Sequence, residues 1–115
     1  MILTGRSKPN EERREFIRML NAEYHECDVT NRKSVRDLIR VVKEKHKQIS
    51  GIIHSAGITR DSFLLKKTEE EAMAVLGPKI KGIKYLDDAT KEEALDFVIY
   101  FSSVASVLGL SLIHI

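Results

Sequence analysis

Short polar segments follow four apolar runs of this 115-residue chain, and their residue types could bind a ligand or act on one. These segments are residues 4–7, 27–30, 54–57 and 102–103. If the apolar runs are parallel β-strands, the segments meet at the carboxyl edge of a sheet, where open α/β sheets bind their ligands. Each segment alone is also explained by ordinary turn chemistry, because a turn needs small polar residues whatever it binds. Together they predict one ligand site at that edge.

The strands that must position these segments are short. Apolar or β-branched runs predict them at residues 1–3, 22–27, 51–54 and 97–101. The last run is aromatic, β-branched and free of charge, which is typical of a parallel strand buried on both faces. Helical segments separate the runs, and this alternation predicts an α/β fold with a doubly wound parallel sheet.

Three helices are predicted between the strands. The first covers residues 11–21 and places Phe16, Ile17 and Leu20 on one side. The second lies between residues 30 and 47, where apolar residues recur with the spacing i, i+3, i+4, i+7. The third begins at Thr68, which forms a capping box with Glu71. We expect a kink or a restart of this helix at Pro78, because proline lacks the N–H that a helix interior needs.

Composition limits the class of protein. With 43% hydrophobic and 31% charged residues, the chain is neither disordered nor fibrous. A single cysteine argues against a disulfide framework and a cysteine-based zinc site, so we predict no metal and a cytoplasmic location. Residues 97–115 carry no Asp, Glu, Lys or Arg, but serines, a glycine and a histidine interrupt them, so we expect no membrane span. The sequence shows no basic face with interleaved aromatic residues, so we expect no nucleic-acid partner.

The sequence resembles the ketoreductase domain of modular polyketide synthases, within the short-chain dehydrogenase/reductase superfamily. The resemblance covers residues 1–109 and enters at the domain's second strand. Its motifs are residues 3–7, 27–30, 51–57, 78–82 and 101–109. His54 is a telling match, because synthase reductases favour His-x-Ala-Gly where stand-alone members usually have asparagines. The resemblance implies a Rossmann-like fold and reduction of a β-ketoacyl chain, tethered to an acyl-carrier domain, to a β-hydroxyacyl product in polyketide or related fatty-acid synthesis.

The resemblance also implies NADPH as the cofactor. Its binding residues would be Arg6, Ser7, Asp28, Val29, His54, Ser55, Ala56 and Gly57. An arginine at the end of this strand accommodates a 2′-phosphate, so Arg6 favours NADPH over NADH; an exposed loop arginine is the plainer alternative. Asp28 would hold the adenine amino group, cap a helix beside Thr30, or do both. A buried, hydrogen-bonded side chain explains His54 as well as a direct ligand contact does.

Two residues are predicted to carry chemistry. By resemblance, Ser103 holds the substrate carbonyl oxygen, and Lys79 lowers the pKa of a tyrosine that protonates this oxygen. An exposed helix lysine, like Lys81 or Lys84, is the alternative for Lys79. The resemblance also implies that Asp61 orients the substrate and favours the D-hydroxy product.

Several parts of the resembled domain are absent from the 115 residues. The first βα unit with its glycine-rich loop would precede Met1, and the catalytic tyrosine would follow Ser103 by about 13 residues. Residues 110–115 depart from the family pattern, and we interpret them as an atypical tail that is not native coding sequence. We therefore expect the chain alone to be inactive, with other synthase modules as partners of the whole enzyme. Two alternatives stay open: a stand-alone reductase of 3-oxoacyl-carrier substrates, and a structural half-domain without catalysis.

Overall fold

The structure is a computed structural model that describes residues 1–58 and 66–102, in which strands and helices alternate. In chain order the elements are β1 (Ile2–Gly5), α1 (Glu11–Met19), β2 (Glu23–Glu26), α2 (Arg32–His46), β3 (Gly51–His54), α3 (Glu69–Thr90) and β4 (Phe97–Tyr100). Every strand and helix predicted from the sequence is present, with ends shifted by a few residues except in α3, which continues from Pro78 to Thr90. The α/β class is therefore confirmed.

The strands form two parallel pairs. In the first pair Ile2 lies opposite Glu23, and in the second Gly51 lies opposite Phe97. A single sheet was expected, but β1 pairs with β2, β3 pairs with β4, and no described strand joins the pairs. In the doubly wound order 3-2-1-4-5-6, the second and fourth strands are both neighbours of the first and not of each other. If β1 to β4 are the second to fifth strands of that order, as the resemblance implies, they form two separate pairs.

The core of the described residues is small and lies under α2. It consists of four buried residues, with α2 and α3 packed against each other around them: Cys27, Val35, Ile39 and Leu86. Burial on two faces was expected for β4 and is wrong for the described structure, because its four residues are 40–47% exposed. Likewise α1 has no buried residue, and Phe16 on its apolar side is 58% exposed. The sequence pattern finds these elements, but their burial depends on what packs against them.

Helix α3 is capped as expected and longer than expected. The Thr68 hydroxyl accepts a hydrogen bond from Glu71 N at 3.2 Å, and the Glu71 carboxylate accepts one from Thr68 N at 3.3 Å. The helix does not restart at Pro78 but continues to Thr90. The missing proline N–H deprives only the Ala74 carbonyl of a donor, and Ala74 is exposed, so water can satisfy it. Within the described ranges, no helix combines the length and apolar character that a membrane span needs.

Three small or cyclic residues let α3 cross close to the carboxyl ends of the strands. Gly77, Pro78 and Gly82 are all buried. A β-carbon on Gly77 would lie 3.5 Å from Thr30, and one on Gly82 would lie 3.0 Å from the His54 ring. The helix therefore passes over the loop after β2 and the end of β3. This crossing fixes where Lys79, between those glycines, meets the sheet.

Candidate functional site

The loop after β1 carries Arg6 and is held by a tyrosine from β2. The Tyr24 hydroxyl donates a hydrogen bond of 2.6 Å to the Ser7 carbonyl. A β-carbon on Gly5 would collide with this hydroxyl, so glycine is required for the ring to pass. Arg6 itself is exposed at the edge of the sheet. The structure thus presents a cationic side chain on a braced loop, and no motif in the sequence pointed to the part that Tyr24 plays in it.

Asp28 follows β2 and stabilises its own turn. Its Oδ1 accepts hydrogen bonds from the backbone N of Thr30 at 2.8 Å and from the Thr30 hydroxyl at 2.7 Å. These bonds, and more weakly the charge of Arg6, lower the pKa of Asp28, so it is ionised at neutral pH. The residue that caps α2 is Asn31, whose side chain accepts from the N–H groups of Lys33 and Ser34. The suggestion that Asp28 caps this helix is therefore wrong.

His54 ends β3 with its side chain buried, only 5% exposed. Its Nε2 lies 2.9 Å from the Pro78 carbonyl oxygen. A carbonyl only accepts, so Nε2 carries the proton in this bond. The ring also meets Tyr100 edge to face, with centroids 6.3 Å apart. The buried, hydrogen-bonded alternative thus describes the side chain of His54, while its contact with a cofactor stays a prediction.

Lys79 reaches from α3 to the end of β4. Its Nζ donates to the Phe101 carbonyl at 3.3 Å, and the side chain is half-buried, unlike the exposed Lys81 and Lys84. Its Cε lies 3.9 Å from where a β-carbon of Gly57 would be, so the loop after β3 borders the same space. The ammonium group therefore lies where β3 and β4 end. The residue it contacts, Phe101, directly precedes Ser102.

The predicted site residues fall into two groups at the carboxyl ends of the strands. Lys79, His54 and Gly57 lie near the ends of β3 and β4, whereas Arg6 and Asp28 follow the ends of β1 and β2. Beside the latter pair are Ser7, which is exposed, and Val29, which is half-buried and would lie 3.2 Å from a β-carbon on Gly82. Ser55 is exposed and Ala56 half-buried. Ser103 and Asp61 lie outside the described residues.

Two other features carry no site. Cys27 is 2% exposed, and burial raises the pKa of its thiol, so it behaves as a buried small apolar residue. A surface depression of about 530 Å³ lies between α2 and α3, and its lining includes an ion pair of 2.6 Å between Lys43 and Glu93. Eight of its ten lining residues are charged, whereas small-molecule sites carry only a few polar groups, so this depression does not suggest one.

Comparison with known proteins gives a consistent result. A family model described as "KR domain" matches residues 1–112. The chain is 42% identical over 114 residues to "Polyketide synthase PksN" of Bacillus subtilis, and the match covers 95% of this chain and 2% of that protein. It is 38% identical over 86 residues to "Polyketide synthase ThaG" of Burkholderia thailandensis, covering 75% of this chain and 2% of that protein.

Two solved structures are also similar. One is an N-terminal ketoreductase from the macrolactin assembly line, with a TM-score of 0.91 and 39% identity, covering 96% of this chain and 24% of the other. The second is a ketoreductase domain from the bacillaene assembly line, with a TM-score of 0.88 and 42% identity, covering 96% and 28%. The chain thus spans about a quarter of these solved chains and 2% of the two curated relatives.

Proposed function

Because this chain belongs to the KR domain family, the ketoreductases of polyketide synthases, we propose that it forms part of an NADPH-dependent ketoreductase. The Rossmann-like α/β fold expected of such a domain is the fold it has. The substrate we propose is a β-ketoacyl chain tethered to an acyl-carrier domain, and the product is the β-hydroxyacyl chain. The observation that carries this proposal is the contact of Lys79 Nζ with the Phe101 carbonyl, next to the two serines that follow β4.

The residues at the ends of β1 and β2 fit the adenosine half of NADPH. Arg6 is an exposed guanidinium, the group best suited to a 2′-phosphate. Thr30 occupies only Oδ1 of Asp28, and no described residue donates to Oδ2, so an ionised oxygen is free to accept an exocyclic amino group. Arg6 and Asp28 follow β1 and β2, two strands that pair with each other, so both lie at the same end of this strand pair.

The residues at the ends of β3 and β4 fit the reacting half. When bound, the reduced nicotinamide supplies a hydride to the carbonyl carbon of the substrate. The positive charge of Lys79 favours the ionised form of a neighbouring tyrosine phenol and so eases its proton transfer to the carbonyl oxygen. Ser103 holds that oxygen by a hydrogen bond. Asp61 orients the acyl chain and favours the D-hydroxy product. The chain spans about a quarter of the solved ketoreductases it matches, and we propose that the tyrosine and the glycine-rich loop lie in the rest of such a domain.

A second candidate applies to the 115 residues taken alone, namely a structural half-domain without turnover. Two separate strand pairs and the exposed faces of β4 favour it. A free-standing reductase is a weaker alternative, because His54 and the Pro-Lys-x-x-Gly pattern match synthase domains. We also propose other synthase modules as partners, and a cytoplasmic location. The location fits the buried thiol of Cys27, which is in no disulfide.

The test is turnover of a β-ketoacyl thioester by the complete ketoreductase domain that contains this sequence. We expect Lys79→Met to lower kcat by at least about 100-fold, the usual size of a lost proton-transfer group. Lys81→Met is the matched control, because this exposed lysine lies on the same helix two residues on, and its kcat should change less than twofold. Retention of kcat by K79M would contradict the proposal. NADPH oxidation by the 115-residue chain alone would instead contradict the structural half-domain.

A further inference from the structure

We propose that His54 is a positioning residue for Lys79, acting through the Pro78 carbonyl and not through the substrate. This inference rests on the proposed function, in which Lys79 assists proton transfer. It differs from the expectation that His54 contacts the cofactor. The proposal is based on three hydrogen bonds that connect His54 at the end of β3, Phe101 after β4, and the Pro78–Lys79 turn of α3.

The first bond of the set fixes the peptide unit that carries Lys79. His54 Nε2 donates to the Pro78 oxygen at 2.9 Å, and the ring is almost fully buried. The Pro78 carbonyl and the Lys79 nitrogen belong to the same planar peptide group. Holding the oxygen therefore limits the rotation of this turn of α3, and with it the direction in which the Lys79 side chain leaves the helix.

The other two bonds tie the same residues to the end of β4. The backbone oxygen of His54 accepts from Phe101 N at 2.9 Å, which extends the β3–β4 pairing by one residue. The Phe101 carbonyl in turn accepts from Lys79 Nζ at 3.3 Å. His54 thus holds both the peptide unit from which Lys79 extends and the residue that Lys79 reaches.

The pattern Pro-Lys-x-x-Gly gains a physical explanation from this arrangement. Gly82 follows Pro78 by four residues, so its missing side chain leaves open the side of the helix on which the Pro78 carbonyl lies. A β-carbon at Gly82 would lie 3.0 Å from Cε1 and 3.1 Å from Nε2 of His54. Glycine at this position therefore lets the imidazole reach the carbonyl, and Tyr100 supports the ring from the strand side.

The experiment compares two side chains of similar length in the complete ketoreductase domain. His54→Met removes the donor, whereas His54→Gln keeps an N–H that can reach the Pro78 carbonyl. We expect H54M to lower kcat by about 10- to 100-fold, because displacing the Lys79 ammonium group by about 1 Å can slow the reaction by up to about 100-fold. H54Q should recover most of the loss, and the KM for NADPH should stay within about threefold in both, because Arg6 and Asp28 lie at the other strand ends. If H54M fails to fold by circular dichroism, His54→Phe replaces it as the variant without a donor.

The double variant H54M/K79M separates this inference from the proposed function. If His54 acts through Lys79, adding H54M to K79M lowers kcat less than about twofold further, since residues that act as a unit are not additive. A full additional loss would overturn the positioning role, as would an H54M or H54F enzyme with unchanged kcat, or an H54Q enzyme as slow as H54M. An unchanged kcat in K79M alone would instead refute the proposed function.

Discussion

Substitution of Gly82 by alanine would drive a methyl group against the His54 ring. The new β-carbon would lie 3.0 and 3.1 Å from two ring atoms and 3.2 Å from Val29 Cγ2, all closer than ordinary van der Waals contact. The ring cannot easily retreat, because its Nε2 is bonded to Pro78 and its edge meets Tyr100. Such overpacking of a buried site typically costs about 1–3 kcal/mol.

Gly77 is the matched control on the same helix. A β-carbon there would lie 3.5 Å from Thr30 Cγ2, which is ordinary contact, and Gly77 is also buried. Alanine is favoured over glycine inside a helix by about 1 kcal/mol, and both variants gain this term. We therefore expect G77A to stabilise the complete domain by about 1 kcal/mol and G82A to destabilise it by about 1 kcal/mol.

Thermal unfolding of the two variants measures this difference. The solved ketoreductases that this chain matches are about four times its length, and at about 2.1 cal/mol/K of unfolding entropy per residue, 1 kcal/mol then moves Tm by about 1 °C. The two variants should therefore differ by about 2 °C, with G77A the higher. G82A should also lower kcat, because it displaces the ring from the Pro78 carbonyl. A G82A domain that melts as high as G77A would refute the close packing of His54 against α3.

Further predictions concern the ends of β1 and β2 in the complete domain. Arg6→Ala should raise the KM for NADPH at least about tenfold and leave that for NADH nearly unchanged, because it removes a charge-assisted bond; equal effects on both cofactors would refute this assignment. Tyr24→Phe loses the bond to the Ser7 carbonyl and should weaken NADPH binding by a few fold in a fluorescence titration, and unchanged binding would show that this bond does not order the loop. Thr30→Val should cost about 1 kcal/mol in urea unfolding at pH 7. Because the folded pKa of Asp28 is lowered, its stabilisation is present above the unfolded pKa and lost as the pH falls through the folded value, so the deficit of T30V should shrink below pH 4; a constant deficit would contradict it.

The sequence was sufficient to predict the elements and the strand ends at which the described candidate residues lie. The strands and the start of α3 are determined by neighbouring residues, namely short apolar runs and the Thr68–Glu71 capping box. Both features are found where they were predicted. The polar segments were placed at one edge by the rule for parallel strands, and the structure does bring Lys79 to the end of β4. Local pattern and topology together therefore predict which residues share an edge.

Other features depend on distant parts of the chain and could not be predicted. The bond from His54 to Pro78 joins residues 24 positions apart, and its direction depends on how α3 crosses β3. The continuation of α3 through Pro78 depends on which face of the helix the rest of the chain leaves exposed, because the Ala74 carbonyl then needs water as its donor. The exposure of β4 depends on what covers it, which its own apolar residues do not specify. In each case the deciding partner lies outside the local pattern.

The two strand pairs differ in how much chain must be organised before they form. Ile2 pairs with Glu23, and only the short helix α1 lies between them. Gly51 pairs with Phe97, which is about twice as far away in sequence and follows the long helix α3. Doubling a closed loop costs only about 0.6 kcal/mol in entropy, so the two pairs need not differ much in stability. They differ in time: on a growing chain, the β1–β2 pair can form before β4 has been synthesised. The part that carries Lys79 and His54 is completed only when the residues after α3 emerge, so the ends of β3 and β4 are the last to acquire their shape.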